Sequence, residues 1–223
     1  VARCDYPWSA HLARLAPHAA RACVSPRPPD GWDGHVTAWQ ARALADQGIA
    51  VLPWAASAPP PAPRALDASA PIVLHPGSGA LAKCWPPERF AALAEALQAD
   101  GRTVVVVLGD AERERWREGE LRRWRAAFDV RFPPSPSALA ERLGTAAGFV
   151  GNDSGPTHLA AALGVPTVAL FGPTPPARWR PVGAAVTVVA PSEPQPMAWL
   201  DVASAVAAVR GALAAAARTD AAR

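Results

Sequence analysis

An open parallel α/β sheet with helices on both faces is predicted for most of this 223-residue chain. Apolar runs and amphipathic helical stretches alternate about five times after residue 70. The runs are continuous and rich in β-branched residues, as strands buried on both faces are. The turns that follow them are rich in Gly, Pro, Asp and Ser, which suits the ends of short parallel strands. With right-handed crossovers this alternation closes on a single sheet with helices above and below it.

In chain order, apolar spacing predicts helices over 9–22 and 35–47, the second ended by Gly48. Residues 55–70 are a Pro/Ala-rich stretch in which the residues before proline are held extended, as in a linker. The chain is thus divided into 1–54, a linker over 55–70, and a domain over 71–223. In that domain strands are predicted at 72–75, 103–108, 149–150, 167–171 and 186–189. Helices are predicted at 88–99, 111–127, 137–147, 157–163 (closed by Gly164) and 202–217. The alternating charges of 113–125 read as a solvated face. Trp116 and Trp124, set among arginines, leave a membrane-surface role open.

Composition limits the function classes. Half of the residues are hydrophobic and 18% are charged, enough apolar material for a core. Net charge is only +3 and is spread over both halves, which argues against nucleic acid as the main partner despite a pI near 9.1. Cys4, Cys23 and Cys84 are odd in number and contain no CxxC pair. That excludes a disulfide scaffold and a cysteine zinc site, and fits a reducing compartment. No uninterrupted run of 18 apolar residues reads as a membrane span. His11, His18, His35 and His75 have no metal-ligand spacing, so no metal is expected. Of 22 basic residues, 21 are Arg; the single Lys is Lys83.

Three strand ends carry candidate chemistry: HPGSGALAK (75–83), LGDAERE (108–114) and GNDSGPTH (151–158). In open α/β sheets ligands bind outside the carboxyl ends of the strands, so the three loops should converge on one crevice. In the first, Gly77 and Gly79 allow close approach of backbone N–H groups to an anion. Ser78 offers a hydroxyl there and Lys83 a point charge. A phosphate is the natural ligand; a merely structural turn is the competing reading. In the third, Asp153 or Ser154 can cap a helix whose first turn holds Gly155 and Pro156. Its free N–H groups and dipole form a second anion site. Asp153 is also a possible bidentate acceptor for ribose hydroxyls, and His158 can point to the same mouth. Glu112 reads equally as a sugar or ribose contact and as a helix N-terminal carboxylate. Gly77–Ala82 matches the dinucleotide G-x-G-x-x-G/A pattern, with Asp110 available for ribose, but Trp85-Pro86-Pro87 delays the helix that fingerprint requires. A P-loop fails at Ala82 and Cys84, and GNDSG is not a nucleophile elbow.

Taken together and in order, IVLHPGSGALAKCWPPERFAALAEAL, VVVVLGDAERE and GNDSGPTHLAAALGVPTVALFGPTPPARWRPVG resemble the C-terminal half of glycosyltransferase family 9, the ADP-heptose:lipopolysaccharide heptosyltransferases and their relatives. The likeness is strong over roughly 70–190 and weaker over 35–55. It implies a GT-B architecture of two Rossmann-like domains. Residues 1–54 would then be the remnant of an N-terminal acceptor domain, and 71–223 the nucleotide-sugar-binding domain. It further implies that Lys83 meets the donor diphosphate, with Ser78 and Gly79 at the small positions before it. Glu112 would contact the ribose, and Asp153, Ser154, Gly155 and His158 would grip phosphates and sugar. Residues 132–136 would line the adenine.

The resemblance also implies an inverting, metal-independent transfer of a sugar, heptose by analogy, from an ADP-linked donor to a lipopolysaccharide core or other glycolipid. That places the protein in the cytoplasm, at the inner face of the inner membrane. Family members open with a Gly-rich loop whose aspartate acts as base. No such segment stands in this sequence, so no catalytic residue is assigned and the chain by itself is expected to bind rather than turn over. A non-catalytic nucleotide-sugar-binding domain and an NAD-dependent oxidoreductase are the rival readings.

Overall fold

The computed structural model describes residues 14–15, 22, 24–51, 67 and 69–221. The chain divides into two compact units, Val1–Ala58 and Pro59–Arg223. The helix expected over 9–22 lies outside the described residues except at 14–15 and 22. The linker expected over 55–70 lies outside them except at 67, 69 and 70. In the first unit α1 (Val36–Ala45) begins at His35, whose Nδ1 accepts the Thr37 N–H at 3.3 Å. Gly48 follows the helix with φ +81°, a left-handed conformation that glycine adopts without a Cβ clash. Trp32 and Trp39 meet edge to face, centroids 5.6 Å apart.

The second unit is the predicted parallel sheet. Its strands are β1 (Ile72–His75), β2 (Val104–Val107), β3 (Asp129–Arg131), β4 (Gly148–Asn152), β5 (Thr167–Leu170) and β6 (Val186–Val189). All pairs are parallel and the order is β3-β2-β1-β4-β5-β6. This is the doubly wound Rossmann order, whose direction reverses between β1 and β4. His75 pairs with Gly151, so the loops after these two strands leave the sheet side by side.

Between the strands run α2 (Pro87–Ala99), α3 (Asp110–Arg115), α4 (Glu118–Ala127), α5 (Pro136–Leu143), α6 (Gly155–Ala162) and α7 (Pro176–Trp179). The last, α8 (Val202–Ala221), closes the unit. Strand alternation divides the core. Ile72, Leu74, Val104 and Val106 pack on one face with Phe90, Leu93 and Leu97 of α2 and Val206 and Val209 of α8. Val73, Val105 and Val107 pack on the other with Leu143 of α5 and Ala160 of α6.

Several expectations need correction. The helix expected over 111–127 is two helices, because Trp116 takes an extended conformation between them. The break lets Trp116 fold onto Trp124, 5.1 Å between centroids, while Trp124 is itself buried against Phe128. Trp124 belongs to the core and Trp116 packs half-buried against it, so these tryptophans do not themselves argue for the membrane-surface reading of 113–125. The 137–147 helix stops at Leu143, since Ala147 donates its N–H to Pro71 as the chain turns into β4. β3 and α7 were not anticipated: β3 is an edge strand with one valine between exposed Asp129 and Arg131, so no apolar run marks it. By length and composition Val202–Thr219 is apolar enough to cross a membrane. In the fold it covers the sheet with Ala205, Val206 and Val209, and its Arg210 binds Asp100 at 2.7 Å.

Candidate functional site

A buried side chain ties the β1–α2 loop to the end of β4. Asn152 ends β4 fully buried and donates from Nδ2 to the carbonyls of Pro76 (2.9 Å) and Gly77 (3.2 Å). Its Oδ1 accepts the Trp85 N–H at 3.0 Å. Trp85 is anchored in turn, fully buried edge to face on Phe90, with Nε1 donating to the Leu200 carbonyl at 2.9 Å. Both ends of the β1 loop are thus fixed to the neighbouring strand. A short 3-10 turn, Leu81–Lys83, carries the lysine, and α2 opens only at Pro87. The delay foreseen in Trp85-Pro86-Pro87 is real: no helix N-terminus stands at Gly77–Ala82, so the dinucleotide fingerprint is not formed.

Lys83 reaches across the crevice. Its Nζ lies 2.7 Å from Asp153 Oδ2, which also accepts the Thr174 hydroxyl at 2.9 Å. His158 Nε2 stands 3.8 Å from Asp153 Oδ1, beyond hydrogen-bond length, so it adds attraction only when protonated. Burial of the Asp153 side chain, 7% exposed, pushes its carboxyl up. His158, the Lys83 ammonium and the Thr174 hydroxyl outweigh that and hold it below the usual carboxylate range. Asp153 is therefore an ionised anchor that aims a cation, not a vacant acceptor for two ribose hydroxyls.

Other expected donors are similarly engaged. Ser78 is buried, and its hydroxyl donates to the Asp153 carbonyl at 2.9 Å instead of standing free for an anion. Ser154 occupies the cap position of α6, but its Oγ pairs with the Thr157 hydroxyl at 3.0 Å rather than with a backbone N–H. Gly155 begins α6; Pro156 after it carries no N–H, and the Thr157 N–H donates to the Ser154 carbonyl at 3.1 Å, so the exposed Gly155 amide and the helix dipole are what the first turn offers an anion. Glu112 is 4% exposed and accepts the Gly109 N–H at 2.8 Å, the helix-capping role. A Cβ at Gly77 would lie on the Glu112 carboxylate, so only glycine permits that approach.

Arg115, Thr174 and Asn152 were missed by sequence reasoning. Arg115 donates from Nη1 to the Ser78 carbonyl (2.7 Å) and from Nη2 to the Gly79 carbonyl (2.9 Å), holding the loop in one conformation. In sequence it was one arginine among many in a charged helix. Thr174 follows β5, in the GPTPP of the third quoted stretch, where the sequence assigned it no role.

Beside this cluster lies a cavity of about 430 Å³, lined by His75, Val107–Asp110, Pro133–Pro136, Leu139, Leu159 and the first turn of α6 at Gly155 and Pro156. That volume accommodates a small organic ligand. Its prolines include most of the 132–136 stretch expected against a base. Glu112 does not line it. Among the described residues no three His, Cys, Asp or Glu side chains are grouped to hold a metal ion.

The chain is similar to known proteins in sequence and in fold. The chain is 32% identical over 117 residues to lipopolysaccharide heptosyltransferase 3 of Escherichia coli K12, covering 49% of this chain and 33% of that protein. It is 39% identical over 105 residues to lipopolysaccharide heptosyltransferase 1 of Pseudomonas aeruginosa, covering 47% and 29%. The chain thus spans about a third of the length of the curated relatives it matches. Its fold is similar to that of a family 9 glycosyltransferase from Veillonella parvula, with TM-score 0.64 and 20% identity over 84% of this chain and 62% of that one. It is likewise similar to the E. coli heptosyltransferase WaaC with ADP, with TM-score 0.61 and 20% identity over 83% and 59%. A sequence profile of glycosyltransferase family 9 (heptosyltransferase) matches residues 40–203, most of the chain, and on that ground the protein belongs to this family.

Proposed function

We propose that the chain is the donor-binding half of a GT-B heptosyltransferase. It would hold an ADP-linked sugar, heptose by analogy with its relatives, for inverting transfer to a lipopolysaccharide core or similar glycolipid at the cytoplasmic face of the inner membrane. The observation that carries this reading is the Lys83 ammonium, placed 2.7 Å from Asp153 beside the first turn of α6. A lysine and a helix N-terminus at the switch point of a Rossmann sheet suit a diphosphate. The adjoining cavity, walled by Pro133–Pro136, suits a flat base. WaaC of E. coli was solved with ADP, which supports adenine as that base.

In the reaction an acceptor hydroxyl loses its proton to a base as its oxygen attacks the anomeric carbon. The bond from that carbon to the diphosphate oxygen breaks, and the electron pair leaves with ADP. Lys83 and the N-terminus of α6 stabilise the charge gathering on the diphosphate. We place the base, an aspartate, in the other domain of the complete transferase.

A thermal-shift panel of ADP, UDP, GDP and NAD on the 223-residue chain tests the reading. ADP should raise the melting temperature most. Stabilisation by NAD alone would favour the oxidoreductase reading, and no response to any nucleotide would overturn both.

A further inference from the structure

We propose that His75 reads the sugar of the bound nucleotide, its Nε2 accepting a hydrogen bond from a ribose hydroxyl. The inference rests on the nucleotide reading of the site. Strand alternation puts His75 on the face of β1 shared by Val73, beside Val107 of β2. The residue is only 6% exposed and lines the cavity. Its Nδ1 lies 3.0 Å from the Val107 carbonyl oxygen. A carbonyl only accepts, so Nδ1 carries the hydrogen. Burial pushes the imidazole toward its neutral form, against the opposing pull of the Val107 carbonyl and Glu112. A neutral ring with hydrogen on Nδ1 has a lone pair on Nε2. That nitrogen has no partner among the described residues, and it is not sealed in the core. A valine or leucine would cover the strand end without leaving an acceptor to be satisfied.

The position selects the ligand group. The cavity runs from Pro133–Pro136, after edge strand β3, to Gly155, after β4. β1 lies between those strands, so His75 stands between the end suited to a base and the end suited to phosphates. The part of a nucleotide between base and phosphate is the ribose. An imidazole lone pair repels phosphate oxygens and attracts a hydroxyl hydrogen. Glu112, the residue that the family resemblance assigns to the ribose, is occupied with the Gly109 N–H and is absent from the cavity wall.

Calorimetry of the full chain with ADP, 2′-deoxy-ADP and 3′-deoxy-ADP tests this. Loss of one hydroxyl should weaken wild-type binding about five- to tenfold. In His75→Asn the side-chain amide can still donate to Val107 but nothing replaces Nε2. This variant should bind ADP five- to tenfold more weakly and should no longer distinguish ADP from the deoxy analogue. His75→Phe, which keeps the ring and removes both nitrogens, should behave the same way. A readout that needs no variant is the ¹⁵N shift of Nε2, which should move on ADP saturation. An unchanged deoxy penalty in a folded His75→Asn, or an unmoved Nε2 resonance in ADP-saturated wild type, overturns the role of His75 and leaves the nucleotide reading intact. Wild type that fails to bind ADP overturns both.

Discussion

Lys83 is the residue on which the proposed donor site turns. The chain keeps one lysine among 21 arginines, and the fold places that ammonium against Asp153 at the crevice. A charge-assisted contact to phosphate contributes about 1.5–3 kcal/mol, so Lys83→Ala should weaken ADP binding more than about tenfold by calorimetry. Asp153 makes a separate prediction. Its carboxyl is held below its ordinary value, so the folded chain binds that proton less readily than the unfolded chain. The resulting stability is fully present above the unfolded pKa of about 3.9, and is lost as pH falls through the lower folded value. Melting curves should therefore drop below about pH 4, and Asp153→Asn should flatten that part of the acid limb. The residue types at 78, 83, 112 and 153–158 were legible in sequence. Their pairing with one another was not, because Ser78 meets Asp153 and Arg115 meets Ser78 only after strands distant in sequence lie side by side.

Helices and strands were legible in proportion to their apolar periodicity. β1 and β6 stand at 72–75 and 186–189, as their β-branched runs predict, and α2 and α6 begin within two residues of expectation. Edge strand β3 was illegible because one half-buried valine between charged residues leaves no period to detect. The break between α3 and α4 was hidden for the opposite reason. Helix propensity runs on through 116–117, so nothing local marks the break that brings Trp116 onto Trp124. The loop after β1 and the end of β4 act as one element through Asn152. Asn152→Ala strands the Trp85 N–H and two carbonyls in the interior, so urea unfolding should show a loss of about 2–4 kcal/mol. Asn152→Asp keeps the acceptor for Trp85 but sets carboxylate oxygen against the Pro76 and Gly77 carbonyls, and should recover little of that loss.

At the scale of the whole molecule the proposed donor site is built by topology. The strand order reverses between β1 and β4, and the two loops that diverge there supply the lysine and the helix terminus. A ligand that binds only the folded chain adds about 2.7 kcal/mol of stability at a hundred times its dissociation constant. For a chain of this size ADP at that level should raise the melting temperature by roughly 5–10 °C. UDP, GDP and NAD at the same concentration should raise it less. Local sequence determined the class of fold and the chemical groups available for binding, because burial period, loop residues and charge are written within a few neighbours. Tertiary structure decided which groups meet. It turned Asp153 into an anchor for Lys83 and His75 into an acceptor on the cavity wall. Those roles depend on distances between residues 30 to 80 positions apart, which strand order and register set and no local pattern contains.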